Sequence, residues 1–183
     1  MFKATAFYAL FNYSIALNLL NGQEYDVCEN YEEVYEPLNI WRDNEIIENK
    51  VFYGMPTDDS KANDNVIRIT GDNVTLKNVI IYHASNAMGI FCWMCHGLTL
   101  ENVQVHAYGN EWGANACPSR SPFGGIDCSN IKLYHSDNVK MNNILVENGS
   151  RGISCFTCKG IELTNIVAKN PRGPYAAGQG IQL

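Results

Sequence analysis

Gly89-Ile90-Phe91-Cys92, followed by Gly97-Leu98-Thr99-Leu100-Glu101-Asn102-Val103-Gln104-Val105, is the stretch that decides the fold. Apolar residues alternate with polar ones over pieces of three to five residues, broken by a Gly turn and then by Asn102. A period of two over such short pieces marks half-buried strands, and no helical period of 3.6 competes with it here. The frame recurs. It runs from Val66-Ile67-Arg68-Ile69 through Asn78, from Ile131-Lys132-Leu133 through Asn143, and from Ile153-Ser154-Cys155 through Asn165, and Gly180-Ile181-Gln182-Leu183 opens a fifth copy.

Each copy reads as three short strands in about 22 residues, one turn of a coil, with successive turns stacking at about 4.8 Å. The separation from the first-strand Ile to the corner Asn is nearly constant: Ile67 to Asn78, Ile90 to Asn102, Ile131 to Asn143 and Ile153 to Asn165. Asn tolerates left-handed backbone at a sharp corner, and its amide can bond to the Asn of the next turn, so the spacing predicts an asparagine ladder. Ile46-Ile47-Glu48-Asn49-Lys50-Val51-Phe52 is a degraded copy of the second strand, corner and third strand.

These repeats resemble the right-handed parallel β-helix proteins of the pectin-lyase-like superfamily, which includes pectate lyases and polygalacturonases. The resemblance spans about residues 65–183 and implies an all-β fold built as a right-handed parallel β-helix. It implies a carbohydrate-active protein whose partner is an acidic, uronate-containing polysaccharide, with lyase-type β-elimination as the reaction. Ca²⁺ is the one cofactor the family suggests; the sequence itself demands none and marks no metal ligands. The fold hosts many chemistries, so a non-catalytic β-helix for adhesion or for a surface or viral structure stands as the alternative.

The chain has 183 residues, of which 46% are hydrophobic and 17% charged, which excludes a disordered chain and a nucleic-acid-binding tail. The net charge of −6 is unevenly placed. Residues 1–64 carry 4 Lys and Arg against 12 Asp and Glu, whereas residues 65–183 carry 9 against 7, so the repeats themselves need not repel an anionic polymer. From Ala4 to Gln23 there is no charge, and Lys3 precedes the run. That layout predicts a signal peptide over residues 1–22 and a secreted protein, although Asn12, Tyr13, Ser14 and Asn18 interrupt the apolar run, and the segment is too polar for a stable membrane span; a monomer is expected. Residues 23–64 then form an acidic cap, and residues 65–183 a β-helix incomplete at its C-terminus, since an array stopped in mid-strand exposes a hydrophobic cross-section.

Two insertions follow third strands, at residues 108–130 and 169–178, and insertions on one face of a repeat array mark a binding face. In the resembled family, loops at that corner wall the substrate cleft over the first-strand sheet. The outward columns of that sheet are Arg68, Phe91, Lys132, Ser154 and Gln182 and, alongside, Thr70, Trp93, Tyr134 and Phe156. Left open, the aromatics suit the flat faces of sugar rings, with Arg68 and Lys132 pairing uronate carboxylates and Trp112 reaching in from the insertion. Alternatively the insertion, with Trp112 and Phe123, folds over the track and buries it.

Lys132, His135 and Arg151, with Tyr134, are candidate groups for taking a C5 proton. Asp127 and Asp137 are too few to argue a calcium site. The polygalacturonase pattern of Asn-Thr-Asp, paired Asp and Gly-His-Gly is absent. Seven cysteines fit an oxidising compartment. Cys92-Trp93-Met94-Cys95 and Cys155-Phe156-Thr157-Cys158 lie two turns apart, about 9.6 Å, too far for one tetrahedral zinc. Local pairs across each turn and burial of Cys92 and Cys155 in the core both remain open. Cys117 and Cys128 are placed to close the long insertion as a disulfide, leaving Cys28 over. Asn73-Val74-Thr75 and Asn148-Gly149-Ser150 are glycosylation sequons.

Overall fold

A computed structural model describes residues 17–19, 23–25, 31–54, 65–84, 87–108, 129–171 and 179–183. Fourteen strands follow in order: β1 (Leu17–Leu19), β2 (Gln23–Tyr25), β3 (Glu32–Val34), β4 (Leu38–Ile40), β5 (Ile46–Tyr53), β6 (Asn65–Ile69) and β7 (Thr75–Ala84), then β8 (Met88–Trp93), β9 (Thr99–Tyr108), β10 (Ser129–Tyr134), β11 (Lys140–Glu147), β12 (Arg151–Phe156), β13 (Glu162–Lys169) and β14 (Ile181–Gln182). Among the described residues there is no α-helix. The chain divides into two units, Met1–Tyr31 and Glu32–Leu183. In the first, β1 and β2 pair antiparallel.

The second unit holds two six-stranded sheets, both parallel throughout. The front sheet runs β4, β6, β8, β10, β12, β14, and the back sheet runs β3, β5, β7, β9, β11, β13. From β3 on, the chain visits the two sheets strictly in turn, so each visit adds the next strand to its sheet. The register follows the repeat read from sequence: Ile67 pairs with Ile90, Ile90 with Ile131, Ile131 with Ile153, and Ile153 with Ile181.

The expected second and third strands of each repeat are one continuous strand bent at its Asn. β7, for instance, pairs with β9 on both sides of Asn78, at Lys77 to Glu101 and at Val79 to Val103. Asn78, Asn102, Asn143 and Asn165 all have φ of 51 to 55°, which redirects the strand without ending its ladder. Each side-chain amide donates to the preceding Asn: Asn78 to Asn49 at 3.0 Å, Asn102 to Asn78 at 2.9 Å, then Asn143 to Asn102 and Asn165 to Asn143 at 3.0 Å.

Asn49 belongs to the ladder, so the stack does not begin at residue 65. It reaches back to β3, where Glu32 pairs in register with Lys50 and joins it by an ion pair. Acidic residues accumulate there because outward positions of an edge repeat face water, and charge on an edge strand also discourages unwanted pairing.

Inward residues fill the space between the sheets. Ile67, Ile69, Ile90, Cys92, Ile131 and Leu133 from the front meet Leu76, Val79, Ile81, Leu100, Val103, Val105 and Ile144 from the back, all fully buried. Each large aliphatic contributes roughly 1.5–3 kcal/mol. The core thins toward β14, where Ile181 is 42% exposed.

The turns that leave the front sheet stack as well. The backbone N–H groups of Asp72, His96 and Lys159 donate to the carboxylates of Asp43, Asp72 and Asp137 at 2.8 to 2.9 Å. Gly97 has φ of +71°, and a Cβ there would lie 2.4 Å from Asn73 Oδ1, so both backbone hand and space require glycine.

Candidate functional site

The outer face of the front sheet carries the predicted columns in register. Arg68 pairs with Phe91, Phe91 with Lys132, Lys132 with Ser154 and Ser154 with Gln182. One row along, Trp93 pairs with Tyr134 and Tyr134 with Phe156. In-register parallel strands set neighbouring rings near their stacking distance. Trp93 and Tyr134 accordingly stack at 4.9 Å with planes 28° apart, and Tyr134 and Phe156 at 5.2 Å with planes 4° apart.

Rings stacked on one another spend their faces on each other and turn their edges outward. Tyr134 is only 7% exposed and Phe91 9%, and they pack with Met88 and the partly buried Trp93 as a small second core. Phe156, 55% exposed, keeps a ring largely open to solvent.

The cations crowd the same face. The Arg68 guanidinium and the Lys132 ammonium each lie 5.9 Å from the centroid of the Phe91 ring. Lys132 is 8% exposed. Burial, reinforced by the Arg151 charge, pulls its ammonium down to about 8. Burial also draws Arg151 below its ordinary value. Arg151 opens β12 in register with Ser129, whose hydroxyl lies 2.8 Å from that of Ser154. Lys132, Arg151, Ser129 and Ser154 therefore form one polar cluster beside the rings.

His135 does not join it. It sits in the turn after β10 with φ of 50° and meets the Tyr134 ring edge-on at 4.3 Å. Its place in the turn makes it a packing partner of the ring stack.

Trp112, Phe123, Asp127 and the predicted Cys117–Cys128 bridge lie outside the described residues. Asp137 Oδ1 accepts from the Lys159 N–H, and among the described residues no three His, Cys, Asp or Glu side chains converge as metal ligands. Those residues do not fit a calcium site. Of the sequon asparagines, Asn73 is exposed with φ of 55° and donates to Asn44 at 3.3 Å, whereas Asn148 is half-buried and Ser150 is buried. Cys92 and Cys95 form a disulfide, while Cys155 and Cys158 are free thiols.

Two features escaped the sequence reading. Tyr35, Tyr53, Tyr82 and His106 form a second stack on the back sheet, with centroids 5.1, 5.5 and 5.2 Å apart. The column continues through Glu147 to Lys169, and Glu147 bridges His106 at 3.1 Å and Lys169 at 3.3 Å. Its signal was present: Tyr53, Tyr82, His106, Glu147 and Lys169 each stand four residues after a corner Asn. The other is a fully buried pair where β10 begins. His83 Nε2 lies 3.0 Å from Asn130 Oδ1, while the Asn130 amide donates to the carbonyls of Val105 and Glu147. Nothing in the local sequence marked that pair.

No protein-family profile matches the chain, and no curated protein matches it. Among solved structures it is similar to a crystal structure described as "a putative glycosyl hydrolase from Parabacteroides merdae ATCC 43184". The identity is 13% and the TM-score 0.44, over 75% of this chain and 74% of that one.

Proposed function

We propose that the chain is a right-handed parallel β-helix that engages an acidic polysaccharide on its front face and cleaves it by β-elimination. Right-handed crossovers are the rule for parallel strands joined within a sheet, which supports the hand. The observation that carries the functional reading is the position of Lys132. It stands in the outward column between Phe91 and Ser154, beside Arg151, with an ammonium that loses its proton near pH 8.

β-Elimination needs a neutral base for the C5 proton of a uronate and a cation to hold the carboxylate whose charge spreads as the proton leaves. Neutral Lys132 accepts the proton. Arg151 and Arg68 pair the carboxylate, the C5 electrons form the C4=C5 double bond, and the C4 oxygen departs with the cleaved chain, taking a proton from water to become its new hydroxyl end. Phe156 supplies the open ring for an adjoining sugar. A secreted monomer acting on extracellular polymer belongs to the same reading.

Pectate, alginate and related polyuronates, followed by ultraviolet absorbance of unsaturated ends with Ca²⁺ or EDTA, test it. Activity should climb with pH through about 8 as Lys132 deprotonates, and Lys132→Met should lose on the order of 100-fold or more. A second reading, a non-catalytic β-helix for adhesion or for a surface or viral structure, is favoured by the burial of Phe91, Tyr134 and Lys132 alike, which leaves all three little surface to offer a sugar. Binding without any absorbance signal would select it.

A further inference from the structure

We propose that Cys155-Phe156-Thr157-Cys158 is a thiol–disulfide exchange site, which closes into an intramolecular disulfide by reaction with a low-molecular-weight disulfide. The equivalent turn two strands away already carries a bridge. Cys92 and Cys95 are disulfide-bonded across a turn with Cα atoms 5.8 Å apart. Cys155 stands two strands away in the same register, through Leu133. The two turns share their backbone: Met94 and Thr157 have φ of 53 and 57°, and Gly97 and Gly160 of 71 and 63°. A backbone that accepts the first bridge is thus already shaped for a second.

Surroundings separate the two. Cys92 and Cys95 are fully buried, with Ser136 Oγ 3.2 Å from Cys92 Sγ. Cys155 and Cys158 are half-buried, and between them Phe156 and Thr157 are exposed, so an external disulfide has access. The pair shares a hydrogen bond. It draws the Cys158 thiol below its ordinary value, aided by backbone hydrogen bonds at Ser136 and Phe156 and opposed by burial and the Asp137 charge, and pushes the Cys155 thiol up.

Cys158 is the nucleophile. Its thiolate attacks one sulfur of R–S–S–R, forming Cys158–S–S–R and expelling RS⁻. Cys155 then passes its proton to RS⁻ and attacks Cys158 Sγ, expelling the second RS⁻, which takes a proton from water. Two protein thiols are oxidised, and one disulfide is reduced to two thiols.

Trypsin cuts after Arg151 and Lys159, so both cysteines fall in one peptide, residues 152–159. The full chain is incubated with oxidised glutathione, acid-quenched, alkylated and digested. The peptide should escape alkylation and weigh two hydrogens less than the dithiol, at a rate that falls as acid protonates the Cys158 thiolate. Cys155→Ser should accumulate glutathione on Cys158 roughly tenfold faster than Cys158→Ser accumulates it on Cys155. Circular dichroism checks that both variants fold; should either fail, the wild-type peptide mass and its pH profile decide. Persistence of both thiols under excess oxidant, or equal rates in the two variants, overturns the proposal.

Discussion

The two ring stacks of this protein obey one geometric rule and meet two different fates. On the front sheet, Tyr134 stacks between Trp93 and Phe156, packs with Met88 and Phe91 in a second apolar cluster, and is almost wholly buried. On the back sheet, Tyr35, Tyr53, Tyr82 and His106 stack at similar spacing but remain partly solvated and run into the Glu147 and Lys169 charges. Register alone sets the ring spacing, because parallel strands repeat at about 4.8 Å. What each stack is worth depends on what lies beside it, since ring-on-ring contact adds only about 0.5–1.5 kcal/mol to the area removed from water.

Removing the middle ring of each stack should expose that difference. Tyr134→Ala is expected to destabilise by about 3 kcal/mol, from lost burial plus a cavity between two facing rings, read by urea denaturation. A loss below about 1 kcal/mol would mean that the second core contributes little. Tyr82→Ala, also stacked on both sides but half-solvated, is expected to lose about 1–2 kcal/mol in the same assay. Equal losses from the two variants would erase the distinction between the stacks.

The smallest effect concerns the titrating end of the back stack. Burial holds His106 below its ordinary 6.5, against the opposing pull of Glu147, with Lys169 lowering it further and Gln104 facing Nε2. The unfolded chain then binds the extra proton more readily, so this contribution is complete above pH 6.5 and is lost as pH falls through the folded value. Buried His83 acts in the same direction. His106→Gln should therefore make the acid-side fall in stability shallower without abolishing it, and an unchanged slope would assign the effect to His83 instead.

Much of the architecture was legible because the repeat writes its own register. The spacing of Ile67, Ile90, Ile131, Ile153 and Ile181 anticipated the paired rows of the front sheet, and the corner asparagines anticipated their ladder. Lys132, Arg68 and the aromatics were placed on one outer face by alternation alone. The degraded copy at Ile46–Phe52 with its corner Asn49 was legible and joins the ladder, whereas the strands before it, β3 and β4, carry too few alternating apolar residues to show the repeat. The back-sheet stack was missed although Tyr53, Tyr82 and His106 keep a constant offset from their corners, because that column mixes ring, acid and base.

The sequence by itself determined which residues recur at the same place in successive repeats, since a period and an alternation are properties of order along the chain. Only the tertiary structure decided what those recurrences are worth. Two CXXC turns of nearly the same backbone became a buried disulfide and a half-exposed dithiol, and a row of rings became a stack with one ring open to water. Burial and proton affinity depend on the atoms that close over a residue, and those atoms come from distant repeats whose contribution no local pattern records.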